Sequence, residues 1–368
     1  MIGTLGLVVN PIAGMGGAVG LHGTDGADLL SEARRRGAQP LTAARTRRAI
    51  AQIDASDIRF VSIAGPMGGD VLSELGIECE CLDGDLSNVT SGEDSQRAAR
   101  VLRDLGCDLI LFAGGDGTAH DVLRGVGPRF PILGIPSGVK MRSGVFAASP
   151  EAAGLIAQEY LGSESRLVAS AEILDVALDA RNDKYLGVAT VPRGRERRVS
   201  GAKVSTATGS RAEFEALCAS VAHELHPRVL YLVGPGSTTR QILSHLGLDA
   251  TPLGVDAVVN GQLIGTDLSE NEILHLMTGF ERTILVLGVV GGQGFLLGRG
   301  NQQLGARVLS KLRLEDLLIV SGATKILALD PSVLWVDVDG GVPRHYLTYH
   351  RIRVAPRRSV VMRVAIPT

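Results

Sequence analysis

"ILFAGGDGTAHDVL", residues 110–123, sets three glycines and one carboxylate directly after an unbroken apolar run. The run suits a buried strand, and "TAHDVL" behind the glycines suits a helix, so the segment predicts a strand that turns straight into a helix. A plain connection does not need Gly114, Gly115 and Gly117 together. A loop whose backbone is approached by a ligand does, because consecutive small residues aim several N–H groups at one point. With a helix amino end behind it, such a loop cradles an anion.

The same unit of apolar run, Gly-rich loop and helix-like segment recurs at residues 5–17, 58–76, 108–127 and 131–146. Continuous apolar runs alternating with helical segments predict a parallel sheet covered on both faces, an α/β architecture that binds ligands at the carboxyl ends of its strands. Ser149 as cap, Pro150 at the first helical position and Gly162 beyond the end predict a helix that closes a first domain at 1–162. Strand-like stretches around Arg181, Asn182 and Asp183 open a mixed α/β second domain at 163–368. Its last strands are left free to return to the first domain. Capping boxes at Ser210 with Glu213 and Ser269 with Glu272, and the Asn260-Gly261 hairpin signal, punctuate it.

Lys and Arg total 37 against 39 for Asp and Glu, so no net field recruits nucleic acid or an anionic membrane. Any anionic ligand must be held locally. Cys79, Cys81, Cys107 and Cys218 form no disulfide framework and no paired zinc motif, and read as reduced thiols. The longest apolar stretch is 16 residues and broken by glycine, short of a membrane span. With no basic leader before the first strand, the expectation is a cytoplasmic protein.

The chemistry expected at the glycine loop turns on Asp116. Beside a phosphate it would bind Mg²⁺ or accept the proton of an attacking hydroxyl; as a helix cap it would do neither. The loop lacks the Lys-Ser or Lys-Thr of a Walker motif and the spacing of a dinucleotide fingerprint. Asn10, Gly14, Gly16 and Gly17 read as a second wall of the phosphate site or as a tight turn. Lys140 reads as a cation for phosphate or a surface lysine. Asp25 and Asp121 read as completing a cluster with Asp116 or as caps. Gly234, Gly236, Ser237 and Thr238 form a second loop of phosphate-binding type, and Arg299, Asn301 and Gln302 are expected to recognise a second substrate.

"GGDGT" (114–118), "VNPIAG" (9–14) and "LGIPSG" (133–138) together resemble the superfamily of NAD kinases, diacylglycerol and sphingosine kinases and phosphofructokinases. More narrowly, 10–26, 133–154, 234–238 and 291–305 resemble the ATP-NAD kinase-like family that includes acetoin-catabolism protein X. The resemblance implies an NAD kinase-like fold, with a flavodoxin-like or phosphofructokinase-like first domain and a second β-containing domain. It implies transfer from ATP or polyphosphate, with Mg²⁺, to a hydroxyl of NAD or a related nucleotide, and a homo-oligomer. Thr118, Ser137 and Gly138 join the phosphate site on the same ground. The alternatives are a kinase for another small alcohol or lipid, and a nucleotide-binding regulator linked to acetoin catabolism that does not turn over. Two departures bear on the last: histidine stands at His22 and His120 where the family has basic residues. The Asn-Glu or Asn-Asp pair that holds the ribose has only Asn271-Glu272 as a counterpart, inside the second capping box.

Overall fold

The computed structural model describes residues 3–21, 27–83, 90–139, 141–176, 183–194, 211–251, 253–290 and 293–367. These form two compact units, 3–15 and 27–194 with Pro367 in the first, 16–21 and 211–366 in the second.

In the first unit, β1 (Gly3–Val9), β2 (Ile58–Ile63), β3 (Cys79–Leu82), β4 (Leu109–Gly114) and β5 (Ile132–Pro136) make one five-stranded sheet in the order β3-β2-β1-β4-β5. Every pairing in it is parallel. All four expected strand units are there. The fifth strand, β3, is a short and half-exposed edge whose Glu80 breaks the apolar signal. Among the described residues six α-helices join the strands: α1 (Ala27–Arg35), α2 (Thr42–Ile50), α3 (Gly69–Glu74), α4 (Gly92–Asp104), α5 (Asp116–Val126) and α6 (Pro150–Leu161).

The strands read as unbroken apolar runs because both faces are covered. Leu5, Leu7, Leu111 and Ile135 bury against Ile50 of α2 and Ile156 of α6, while Val8, Ile110 and Phe112 bury against Leu102 of α4 and Val122 of α5. As expected, α6 carries Ser149 as its cap, with the hydroxyl accepting from Ala152 N at 3.0 Å and Pro150 at the first position.

The predicted hairpin is also present, β6 (Val168–Val176) antiparallel to β7 (Asp183–Pro192), with its turn outside the described residues. It does not open the second unit. Ala171, Ile173, Ala189 and Val191 alternate inward and bury in the core of the first unit beside Phe112 and Phe146. Hydrophobic burial therefore carries the first unit past the boundary expected at 162, through residue 194, and the described residues of the second unit resume at 211.

The second unit contains α7 (Arg211–His223), β8 (Leu230–Val233), α8 (Ser237–Ser244), β9 (Asp256–Val259), β10 (Gln262–Gly265), α9 (Glu270–Met277), β11 (Thr283–Gly288) and β12 (Phe295–Leu297). It continues with α10 (Ala306–Leu309), β13 (Leu317–Val320), α11 (Ala323–Leu327), β14 (Val333–Val336), β15 (Tyr349–Ala355) and β16 (Arg358–Ala365). The strands form one nine-stranded mixed sheet, β10-β9-β8-β11-β13-β15-β16-β14-β12, in which β8, β11, β13 and β15 run parallel. The C-terminal strands stay in this sheet. Asn260 and Gly261, both with positive φ (52° and 71°), turn β9 into β10 as the sequence predicts. Ser269 and Glu272 make the capping box of α9, whereas Ser210 lies outside the described residues. Among the described residues no helix is long and apolar enough to cross a membrane.

Gly154 sets the approach of α6 to α2. A Cβ there would stand 2.0 Å from the carbonyl oxygen of Ala49. Gly154→Ala must push the helices apart, a change that costs about 1–3 kcal/mol when a packed interior is overfilled. Thermal melting is the check, with a Tm several degrees below the parent and unchanged far-UV circular dichroism.

Candidate active site

β1 has β2 on one side and β4 on the other, so the connections leaving β1 and β4 diverge and open a crevice at their carboxyl ends. Asn10 and the glycine loop both fall there. Asn10 N donates to Ala113 O at 3.0 Å, carrying the β1–β4 pairing one residue past the strand. Its side chain donates from Nδ2 to Thr118 Oγ1 at 3.0 Å and accepts from Ile12 N at 3.2 Å. Asn10 thus fastens the loop after β1 to the first turn of α5.

Gly14 continues this loop with φ +76°, and a Cβ on it would meet Ser137 O at 2.0 Å. The loops after β1 and β5 therefore touch backbone to backbone. Ser137 N donates to Gly114 O at 3.0 Å, while its hydroxyl turns back to Ile135 O at 3.2 Å. Two residues of α2 brace the loops: Thr42 Oγ1 donates to Ala13 O at 2.9 Å, and the buried Arg45 donates from Nη1 to Pro136 O at 2.7 Å. Sequence reasoning missed both, for nothing in "TAARTRRAI" separates Arg45 from the surface arginines beside it.

α5 begins at Asp116, with the extended Gly115 (φ −116°) as its cap residue and no side chain capping its backbone. Gly114 has to be glycine because a Cβ would lie 2.4 Å from Thr118, whereas the exposed Gly117 faces open space. The first N–H groups of a helix have no partner within it. This end of α5 therefore presents N–H groups that no side chain caps, an arrangement suited to an anion.

The Asp116 carboxylate does not point a charge into the cradle. It is 5 % exposed and turns to the loop after β5, where Oδ1 accepts from Ser143 N (3.0 Å), Ser143 Oγ (2.6 Å) and Arg142 N (3.1 Å), and Oδ2 from Arg142 N (2.9 Å). Burial pushes its pKa up to about 6, against the opposing pull of the hydrogen bonds from Ser143 and Arg142. A carboxyl near the neutral range is suited to take and return a proton. Ser143 also accepts from Leu174 N at 3.0 Å, tying the site to β6. Arg142 and Ser143 were not singled out in the sequence. Their one signal is their place in a Gly-rich loop after a strand.

Asp121 does not join Asp116, because its carboxylate lies over the amino end of α4, 2.5 Å from where a Gly92 Cβ would be. Asp25, Lys140 and His22 lie outside the described residues. Among the described residues no three His, Cys, Asp or Glu side chains gather in a metal-binding group. N–H and O–H donors occupy Oδ1 of Asp116, where a cation would be repelled, and Oδ2 carries one N–H donor. A cavity of about 600 Å³ adjoins the carboxyl ends of β1 and β2, walled by Val9, Pro11, Ile12, Met15, Pro40 and Pro66.

The loop read as one wall at 10–17 is divided. Asn10 and Gly14 belong to the first unit, whereas Gly16 and Gly17 belong to the second, where a Gly17 Cβ would stand 3.0 Å from Gln302. In the second unit Gly234 packs against Leu287, and Gly236, at φ +136°, starts α8 with Ser237 and the buried Thr238 in its first turn. Arg299 is buried with its guanidinium 4.5 Å over the Phe295 ring. Asn301 is a brace: Nδ2 donates to Leu296 O at 3.0 Å and Oδ1 accepts from Gly298 N at 2.8 Å. One of its N–H groups and its carbonyl oxygen therefore serve its own loop. Asn271 accepts from Arg307 at 3.1 Å and Glu272 serves the capping box, the structural reading of that pair. Asn301→Ala leaves two buried backbone groups without partners and should cost about 1–3 kcal/mol of stability. A lowered Tm with unchanged nucleotide affinity is expected.

Two family models match the chain: the ATP-NAD kinase N-terminal domain over residues 5–164 and the ATP-NAD kinase C-terminal domain over residues 227–364. No curated protein and no solved structure matches it. The two domains occur in order and cover most of its length, with the glycine loop and the strand crevice inside the first. The chain belongs to the ATP-NAD kinase family.

Proposed function

We propose that the protein transfers the terminal phosphoryl group of ATP, or of polyphosphate, to a hydroxyl of NAD or a related nucleotide. The observation that carries this reading is the uncapped amino end of α5 at the crevice of a parallel sheet, with a buried carboxylate of raised pKa as its first residue. The N–H groups of Gly115, Gly117 and Thr118 hold phosphate oxygens, and the cavity beside Pro11, which Arg34, Asp70 and Glu74 also line, takes the nucleoside. Magnesium enters as the counter-ion of the nucleotide phosphates.

In the transfer, the acceptor oxygen forms a bond to the terminal phosphorus as the bond to the bridging oxygen breaks and the shortened polyphosphate leaves. The acceptor proton goes to Oδ2 of Asp116, which has one N–H donor on it and room for a second partner. Ser143 and the Arg142 backbone keep the carboxylate ionised and in place. One observation favours a second reading, a nucleotide-binding protein without turnover: in this structure the carboxylate already accepts from residues 142 and 143, with three of the contacts on Oδ1.

Incubation with Mg²⁺, ATP and NAD decides between the readings. NADP should accumulate, and kcat/KM should fall as pH drops through about 6, where Asp116 takes up its proton. Asp116→Asn should bind ATP as the parent does and lose at least about 100-fold in rate, within the range that general base catalysis contributes. ATP binding without NADP in the parent would support the second reading.

Gly115→Val tests the cradle separately. Its φ of −116° is open to any residue, so the fold should survive while ATP affinity falls at least about tenfold, equivalent to about 1.4 kcal/mol. Calorimetric titration with ATP reads the affinity, and an unchanged value in the folded variant would remove the phosphates from this loop.

A further inference from the structure

The nine-stranded sheet of the second unit is covered on one of its faces only in part. There α7 and α8 lay Leu217 and Ile242 over Tyr231 of β8, Val258 of β9, Val286 of β11 and Val320 of β13. Val320 pairs with Arg353 of β15, so Arg353 lies on this same face, and by alternation Arg351 and Tyr349 do too. The helical cover stops at that strand. Among the described residues no side chain of β14, β15 or β16 joins this core, whereas Leu334, Ile352, Val354, Met362 and Val364 fill the core on the opposite face.

Arginine and aromatic side chains stand on the open part. Register sets Arg363 of β16 opposite Tyr349, Val361 opposite Arg351 and Ser359 opposite Arg353, while the half-buried Val333 and Trp335 of β14 extend the rows beside Arg363 and Ala365. Tyr349 is 67 % exposed and Val361 63 %. Residues 340–368 carry six arginines and no Asp or Glu, so the near-neutral total of the chain conceals a local surplus of positive charge. Arg353 is already committed, donating to Glu224 Oε1 at 2.5 Å and to Pro356 O at 3.0 Å, which braces the turn. Arg351, Arg357, Arg358 and Arg363 are exposed and pair with no carboxylate among the described residues.

Arg351 and Arg363 are diagonal neighbours on this face, about 7–8 Å apart, where like charges repel until an anion joins them. From their end of the hairpin to Arg357 and Arg358 in the turn, the cations follow the strands for about 20 Å, the length of about six stacked nucleotides. Such a track fits a linear polyanion. A second copy of the chain set on this face by a two-fold axis would bring arginine against arginine. An anionic membrane takes up long apolar side chains beside the charge, and the exposed large apolar groups of these rows are Tyr349 and Val361. An open aromatic ring among arginines is the combination that stacks a base while guanidinium groups hold phosphates, and inorganic polyphosphate has no use for the ring.

We propose that the open face of β15 and β16 binds single-stranded nucleic acid, with Arg351, Arg357, Arg358 and Arg363 on its phosphates and Tyr349 stacked on a base. The surface is contained in the second unit. It does not rest on the phosphoryl transfer proposed for Asp116.

Fluorescence anisotropy of the full-length protein with labelled oligouridylate and oligothymidylate of about twelve nucleotides tests this, the two probes separating RNA from DNA as the source. At low salt the better probe should bind with a Kd of about 10 µM or below, and log affinity should fall with log salt at a slope of about −3 for four phosphate contacts. Arg351→Ala with Arg363→Ala should weaken binding at least about tenfold and halve the slope. Tyr349→Ala should weaken it at least about fivefold with the slope unchanged, and Arg100→Ala, an exposed arginine of the first unit, should change neither. All these side chains are exposed, so melting temperatures near the parent's are expected and show that the variants are folded. Failure of both probes to bind overturns the proposal, as does binding that survives the double arginine variant. So do three outcomes that name another occupant: Tyr349→Ala without effect while inorganic polyphosphate competes fully, binding of phosphatidylglycerol vesicles in place of the oligonucleotides, or a parent dimer in light scattering that the arginine variant dissociates.

Discussion

The parallel pairing of β1 with β4 is the constraint on which the first unit depends. β1 has no free edge, because β2 takes its other side, so every connection must leave at a strand end. Hydrogen bonding continues beyond the strands, through Asn10 N to Ala113 O and Ser137 N to Gly114 O. The loops after β1, β4 and β5 are therefore fixed by the ladder itself. Gly14 and Gly114 allow the close approaches that follow, and Asn10 joins the first loop to the helix that the second begins.

A carboxylate at the first position of α5 is favoured by the helix field and disfavoured by its burial. Burial wins for the proton affinity of Asp116, and the four contacts from residues 142 and 143 keep the ionised form accessible. A buried charge with N–H and O–H donors on it is tolerated where a bare one is not. The same arrangement explains why the acid can share a helix end with a phosphate: Oδ1 is held by donors from the loop after β5.

The parallel sheet and its glycine loop were legible because both follow from local pattern, apolar runs of strand length and glycines where backbones nearly touch. The hairpin at 168–192 was legible as a hairpin, yet its membership was not, since the side on which Ile173 and Val191 bury depends on residues far away in sequence such as Phe112. The first family match ends at 164, close to the expected boundary, although the structure groups the hairpin with the residues before it. Asp116 was found from its motif, whereas Arg142 and Ser143 were not, because they contribute mainly backbone N–H groups that no residue type advertises. Asn301 hid its bracing role for the opposite reason. A polar side chain in a glycine-rich segment signals a ligand or a loop brace equally, and only the positions of Leu296 and Gly298 decide between them.

Ser143 has one hydroxyl proton and two acceptors within reach, Asp116 Oδ1 at 2.6 Å and Leu174 O at 3.2 Å. Leu174 can face it because the β6–β7 register slips between Ile173 and Leu174. When Asp116 is ionised the proton points to it, and when Asp116 is protonated the hydroxyl is free to rotate toward Leu174. Ser143 is thus a two-position rotor, and the carbonyl of Leu174 is a built-in reporter of the charge on a residue it does not touch.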